Sequence, residues 1–144
     1  MDLELEGKRA LVTGASKGIG LAVARRLVTE GVAVVAGSRH SSPELDTLVN
    51  DGRAVHVSVD LSASEGPSQL VQEALSGGPI DILINNAGAV TPRLEGFTAI
   101  TDEQWSTTIN LTFMAAVRTT REVLPHMTAR KEGTIINNVS VNAT

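Results

Sequence analysis

The 144-residue chain contains no cysteine and no tyrosine. Without cysteine there is neither a disulfide nor a thiolate metal site, in keeping with the cytoplasmic location expected here. Without tyrosine there is no phenol to serve as an acid. Aromatic residues are scarce altogether: Phe97, Trp105 and Phe113 are all of them. Positive charge is not in excess, and a net charge of −4 argues against a nucleic-acid partner, which calls for a basic surface. No apolar run approaches the roughly 20 residues that span a bilayer, so no membrane partner is expected. The opening MDLELEGK is acidic, where a secretory leader is basic and then apolar.

What remains is an ordinary globular mixture, 42% hydrophobic and 19% charged. One rhythm repeats along it: apolar strand, polar turn, helix, glycine, strand. Arg9–Thr13, Val32–Ala36, Ala54–Val59, Ile80–Ile84 and Thr134–Val139 read as strands. They are short, rich in Val and Ile, and several are apolar on consecutive residues, as parallel strands covered on both faces are. Helical spacing appears in Ile19, Val23 and Leu27, in Leu70, Val71, Ala74 and Leu75, and from Trp105 to Leu124. Ser42 before Pro43 predicts an N-cap with proline in the first turn. Ser62 with Glu65, and Thr101 with Gln104, fit capping boxes. Gly31, Gly52, Gly77 and Gly133 stand where left-handed helix stops are wanted. Pro125 falls within the long helix and is expected to kink or tighten its last turns. Alternating strands and helices predict an α/β fold, a doubly wound parallel sheet with right-handed crossovers. The expectation is one domain over residues 1–144.

The first strand enters TGASKGIG, residues Thr13 to Gly20. A strand, a glycine turn and a helix start bring backbone N–H groups together where a phosphate can bind. Gly14 allows the tight turn, Gly18 clears the pyrophosphate's approach, and Gly20 lets helix and strand pack closely. The spacing is GxxxGxG rather than GxGxxG, and the alternative is a turn of purely structural purpose. The second strand ends Ser38, Arg39, His40. A carboxylate at such a position binds the ribose 2′-OH of NAD, whereas an arginine accommodates a 2′-phosphate. Ser38 and Arg39 offer donors and no carboxylate, and Lys17 adds positive charge, so NADP(H) is the expected cofactor.

The chain resembles the classical short-chain dehydrogenase/reductase family over essentially its whole length. The resemblance rests on TGASKGIG, on Asp60-Leu61 after the third strand, on NNAG at Asn85–Gly88, on Asn110 in INLT, and on the strand leading to Ser140. It implies a dinucleotide-binding Rossmann domain over residues 1–144, incomplete at the C-terminus, whose doubly wound sheet has the order 3-2-1-4-5 with the family's last strands missing. It implies that Ser16 and Ile19 lie with the glycines against the cofactor, that Asp60 bonds the adenine amino group and that Leu61 lies beside the ring. Asn86, Ala87 and Gly88 would follow the riboses, and the Asn85-Asn86 pair would brace the central strands. It further implies hydride transfer between the nicotinamide and a ketone or secondary alcohol, a 3-oxoacyl thioester being one such substrate. Ser140 would hold the substrate oxygen and Asn110 would fix a water.

The sequence departs from the family pattern in one large respect. The family's general acid is a tyrosine in a Tyr-x-x-x-Lys motif beyond the serine, and neither is present. The expectation is therefore a truncated, inactive chain of an oxidoreductase lineage, with a non-catalytic dinucleotide-binding module as the alternative. The ending SVNAT also lacks the glycine turn usual after the serine. The edge exposed on the fifth strand predicts a homo-oligomer or a poorly soluble chain. His40, His56 and His126 are dispersed and are read as neither ligands nor bases.

Overall fold

The computed structural model describes residues 2–140. Five strands form one parallel sheet: β1 (Arg9–Thr13), β2 (Ala33–Ser38), β3 (Ala54–Ser58), β4 (Ile82–Asn85) and β5 (Thr134–Asn137). Their order is β3-β2-β1-β4-β5, as the resemblance implies, and the sheet is Rossmann-like. The step from β3 back to β1 and out to β4 reverses the direction of winding, which opens a crevice at the strands' carboxyl ends.

Both faces are covered. On one, Ala10, Val12, Val34, Ala36, Ile82 and Ile84 pack against α1 (Gly18–Thr29) and α2 (Pro43–Asn50). On the other, Leu11, Val35, Val57 and Leu83 pack against α3 (Gly66–Ser76) and α5 (Ala115–Arg130). The alternation along each strand sends successive side chains to opposite faces. This explains why consecutive residues in β1, β2 and β4 are apolar. The two edge strands are less covered: β3 pairs with β2 and β5 with β4, and Val55, Ile136 and, beyond β5, Val139 stand exposed.

Local signals set most helix ends. Ser42 caps α2 by accepting from the Leu45 N–H at 3.2 Å, with Pro43 behind it. Thr101 and Gln104 form a reciprocal capping box at α4 (Asp102–Ile109). The box expected from Ser62 and Glu65 does not form. Ser62 instead donates its N–H and its hydroxyl to Asp60 Oδ1, at 2.9 and 2.7 Å. The nearer carboxylate wins the serine, and α3 starts later, at Gly66 with Pro67 in its first turn. Two helix stops also differ. Gly77 has φ −92°, and Lys131, not Gly133, takes the left-handed position after α5, at φ 57°. The long helix is not uniform either: a π turn, Asn110–Met114, joins α4 to α5. Helix α5 runs through Pro125 to Arg130. Among the described residues, no helix is long and apolar enough to cross a membrane.

Candidate functional site

A cleft of about 560 Å³ opens at the carboxyl ends of β1, β2, β3 and β4. Gly14, Ser16, Lys17, Ser38, Arg39, Asp60, Leu61, Ala87 and Gly88 line it. They come from four separate turns, each following a strand, and parallel winding alone brings them together.

The glycine turn is shaped by contact with the turn after β4. Gly14 has φ +67°, and a Cβ there would come 3.0 Å from Ala87 Cα. Gly18 also has positive φ, +56°, but faces open space. Gly20 lies under the turn, where a Cβ would sit 2.2 Å from the Gly14 carbonyl oxygen. Gly20 therefore serves packing, whereas nothing stands over Gly18. Gly18, Ile19 and Gly20 do not line the cleft wall itself. At the start of α1, Lys17 makes no side-chain cap and the first turn holds no acid. Its N–H groups are open to an anion, which the helix dipole also favours.

Thr13 joins the two turns. Its buried hydroxyl donates to the Ile84 carbonyl at 3.4 Å and accepts from the N–H groups of Asn86 and Ala87, both at 2.9 Å. Asn86 returns the contact, donating from Nδ2 to the carbonyls of Thr13 and Gly14 at 3.2 Å. Asn85 donates to Thr120 Oγ1 at 3.0 Å and to Asn137 Oδ1 at 2.9 Å. Asn138 completes the set by donating to Asn86 Oδ1 at 2.8 Å. The expected bracing by the asparagine pair is present, and it extends to a second pair, Asn137 at the end of β5 and Asn138 just after it. Sequence reasoning overlooked Thr13, Asn137 and Asn138. The repeated Asn-Asn at 85–86 and 137–138, aligned by the Asn85–Asn137 register, was the available signal.

At the other end of the cleft, Ser38 is buried and its hydroxyl donates to the His40 carbonyl at 2.8 Å. Arg39 is exposed, and among the described residues it has no ion-pair partner within 4 Å. The Ser62 hydroxyl, then the Ser62 N–H, hold the Asp60 carboxyl below its usual range, and Arg39 adds to the effect. Asp60 is thus anionic at neutral pH, and its Oδ2 accepts nothing from the described residues. These groups fit a phosphorylated dinucleotide: an open helix N-terminus, a guanidinium with no ion-pair partner among the described residues, and a separate carboxylate acceptor.

Asn110 and Ser140 stand apart from this cleft. Asn110 opens the π turn and donates to Ser106 Oγ at 3.2 Å. Ser140 follows β5 and is exposed. The residues after it, and with them the expected departure in SVNAT, lie outside the described ones. A second cavity of about 540 Å³ lies beside β5, lined by Asn85, Phe113, Val117, Thr120, Asn137 and Val139 among others.

The family described as short chain dehydrogenase matches residues 8–144. An uncharacterized oxidoreductase of Bacillus subtilis, YvrD, is 35% identical over 97% of this chain and 54% of its own length. L-xylulose reductase of Bos taurus is 39% identical over 99% of this chain and 57% of its own. L-sorbose reductase from Gluconobacter frateurii, solved with NADPH and L-sorbose, superposes with a TM-score of 0.87 at 37% identity, covering 98% of this chain and 55% of that one. A 3-oxoacyl (acyl-carrier-protein) reductase from Agrobacterium tumefaciens with NADP bound gives 0.82 at 30% identity, covering 96% and 54%. The chain thus spans just over half the length of these proteins, and its glycine turn, its Asn-Asn turn and its strand order fall within the part they share. It belongs to the short-chain dehydrogenase/reductase family.

Proposed function

We propose that the chain is the nucleotide-binding portion of an NADP(H)-dependent oxidoreductase that moves a hydride between the nicotinamide and a ketone or secondary alcohol. The end of β2 carries the choice of cofactor. It presents Arg39 and no carboxylate, on the cleft that Lys17 also lines. A guanidinium favours a 2′-phosphate through charge-assisted bonds, and a carboxylate would repel it. Similarity to reductases solved with NADPH and NADP supports the same choice.

The bound dinucleotide supplies the hydride donor or acceptor. In this reading the α1 N-terminus, with Gly14, Ser16, Gly18 and Ile19, holds the pyrophosphate. Asp60 accepts from the adenine amino group and Leu61 lies beside the ring. Asn86, Ala87 and Gly88 follow the riboses. Ser140 holds the substrate oxygen, a bond that strengthens as the oxygen gains charge, and Asn110 fixes a water. The substrate is a small carbonyl or alcohol; ketoses and 3-oxoacyl thioesters both fall in that class. Titration with NADPH and NADH, read by nicotinamide fluorescence, tests the proposal. NADPH binding tighter by about tenfold or more is expected, the factor for one charged hydrogen bond. Equal or tighter NADH binding overturns it.

A second reading, that these 144 residues taken alone bind a dinucleotide without turnover, is favoured by the lack of a tyrosine among them. General acid–base catalysis contributes about 10²–10⁴-fold, so these residues without such an acid would bind with little chemistry. NADPH binding without oxidation against a panel of carbonyls supports the module, and turnover supports the enzyme.

A further inference from the structure

The turn from β2 into α2 is held from the side by the edge strand β3. Ser58 Oγ donates to the Arg39 carbonyl at 2.9 Å. Ser38 Oγ donates to the His40 carbonyl at 2.8 Å and lies 3.0 Å from His56 Nε2. A serine hydroxyl has one proton to give. With that proton committed to the carbonyl, both contacts are satisfied when His56 carries its proton on Nε2 and donates it to Ser38. His56 and Ser58 sit two residues apart on β3, opposite Ala36 and Ser38 of β2, and so share one face of the sheet.

Two consecutive carbonyls, those of Arg39 and His40, are therefore tied to serine hydroxyls at the β2–β3 edge. A carbonyl oxygen is the backbone group that repels an incoming phosphate. Fixing both oxygens leaves the Arg39 guanidinium as the charged group that the turn offers to the cleft. The Ser38 hydroxyl, giving its proton to the His40 carbonyl, shapes this turn.

We infer that His56 and Ser58 are specificity-determining positioning residues: they hold the Arg39–His40 turn in the form that accepts the ribose 2′-phosphate of NADP(H). The inference rests on the cofactor reading above and deepens it. Neither residue need touch the cofactor. Their effect is confined to the phosphate that distinguishes NADPH from NADH, whereas a merely structural role would weaken both alike.

Dissociation constants for NADPH and NADH are measured on the 144-residue chain and on Ser58→Ala and His56→Val, with folding checked by circular dichroism. Ser58→Thr and His56→Gln, which keep a donor, serve as rescues. Ser58→Ala and His56→Val are expected to weaken NADPH by about fivefold, the factor for one ordinary hydrogen bond, and to change NADH by less than about twofold. The rescues keep the native ratio. Equal weakening of both cofactors, or no change in either, overturns the inference while leaving the cofactor reading intact. Failure of the unaltered chain to prefer NADPH overturns both. Ser58 is exposed, so Ser58→Ala decides the matter alone if His56→Val does not fold.

Discussion

Gly20 faces the Gly14 backbone and the Asn86 side chain. A methyl group there would meet the Gly14 carbonyl at 2.2 Å and Asn86 Nδ2 at 2.5 Å, and the Gly14 backbone cannot move without moving the phosphate turn. Gly20→Ala is expected to cost about 1–3 kcal/mol, as overpacking does, and to weaken NADPH binding with it; urea unfolding beside a cofactor titration checks both. Arg39→Glu puts a carboxylate where the 2′-phosphate should lie. It is expected to raise the NADPH dissociation constant about 10- to 100-fold, equivalent to one charged hydrogen bond, and to leave NADH no weaker. The Asp60 carboxyl, held below its usual range first by the Ser62 hydroxyl, binds protons less well folded than unfolded. Its contribution to stability is complete above the unfolded carboxylate range, near pH 4, and is lost as pH falls through the lower folded value. Ser62→Ala should therefore be less stable than the native chain at pH 6, with the gap closing below about pH 4 in denaturant titrations.

Elements differ in how far they depend on their own ends. Helix α4 buries no residue fully and leans on its capping box. Thr101→Ala is expected to cost about 1 kcal/mol and to shift the melting temperature downward, as calorimetry would report. The box was legible because its signal is local: a threonine and a glutamine three residues apart. The π turn was not legible, because such turns are rare single interruptions of a helix and no local pattern in the sequence pointed to one at Asn110–Met114. The Ser62 box misled for a different reason. Its spacing was right, but the carboxylate of Asp60 lay two residues away and outcompeted the helix for the serine.

Across the whole molecule, the strands could be read from runs such as RALVT, because burial on two faces forces consecutive apolar residues. The cleft's glycines and Asp60 were readable because each follows a strand. The asparagine pairing of β4 with β5 was not, since it depends on a register that no local pattern encodes. Ile136 stands exposed on β5, and just beyond the strand the exposed Val139 lines the cavity with Phe113 and Val117. Uncovered strand edges and apolar patches recruit partners. The 144-residue chain is expected to sediment as an oligomer or to be poorly soluble, and a clean monomer would count against this. The hydroxyl of Thr13 has a kinetic consequence as well. It reaches across 73 residues of sequence to the N–H of Asn86, so neither lip of the cleft acquires its shape until β1 and β4 have met. Contacts so distant along the chain form slowly. Recovery of NADPH binding during refolding should therefore lag the return of helical signal, making the cofactor a reporter of the last long-range closure rather than of collapse.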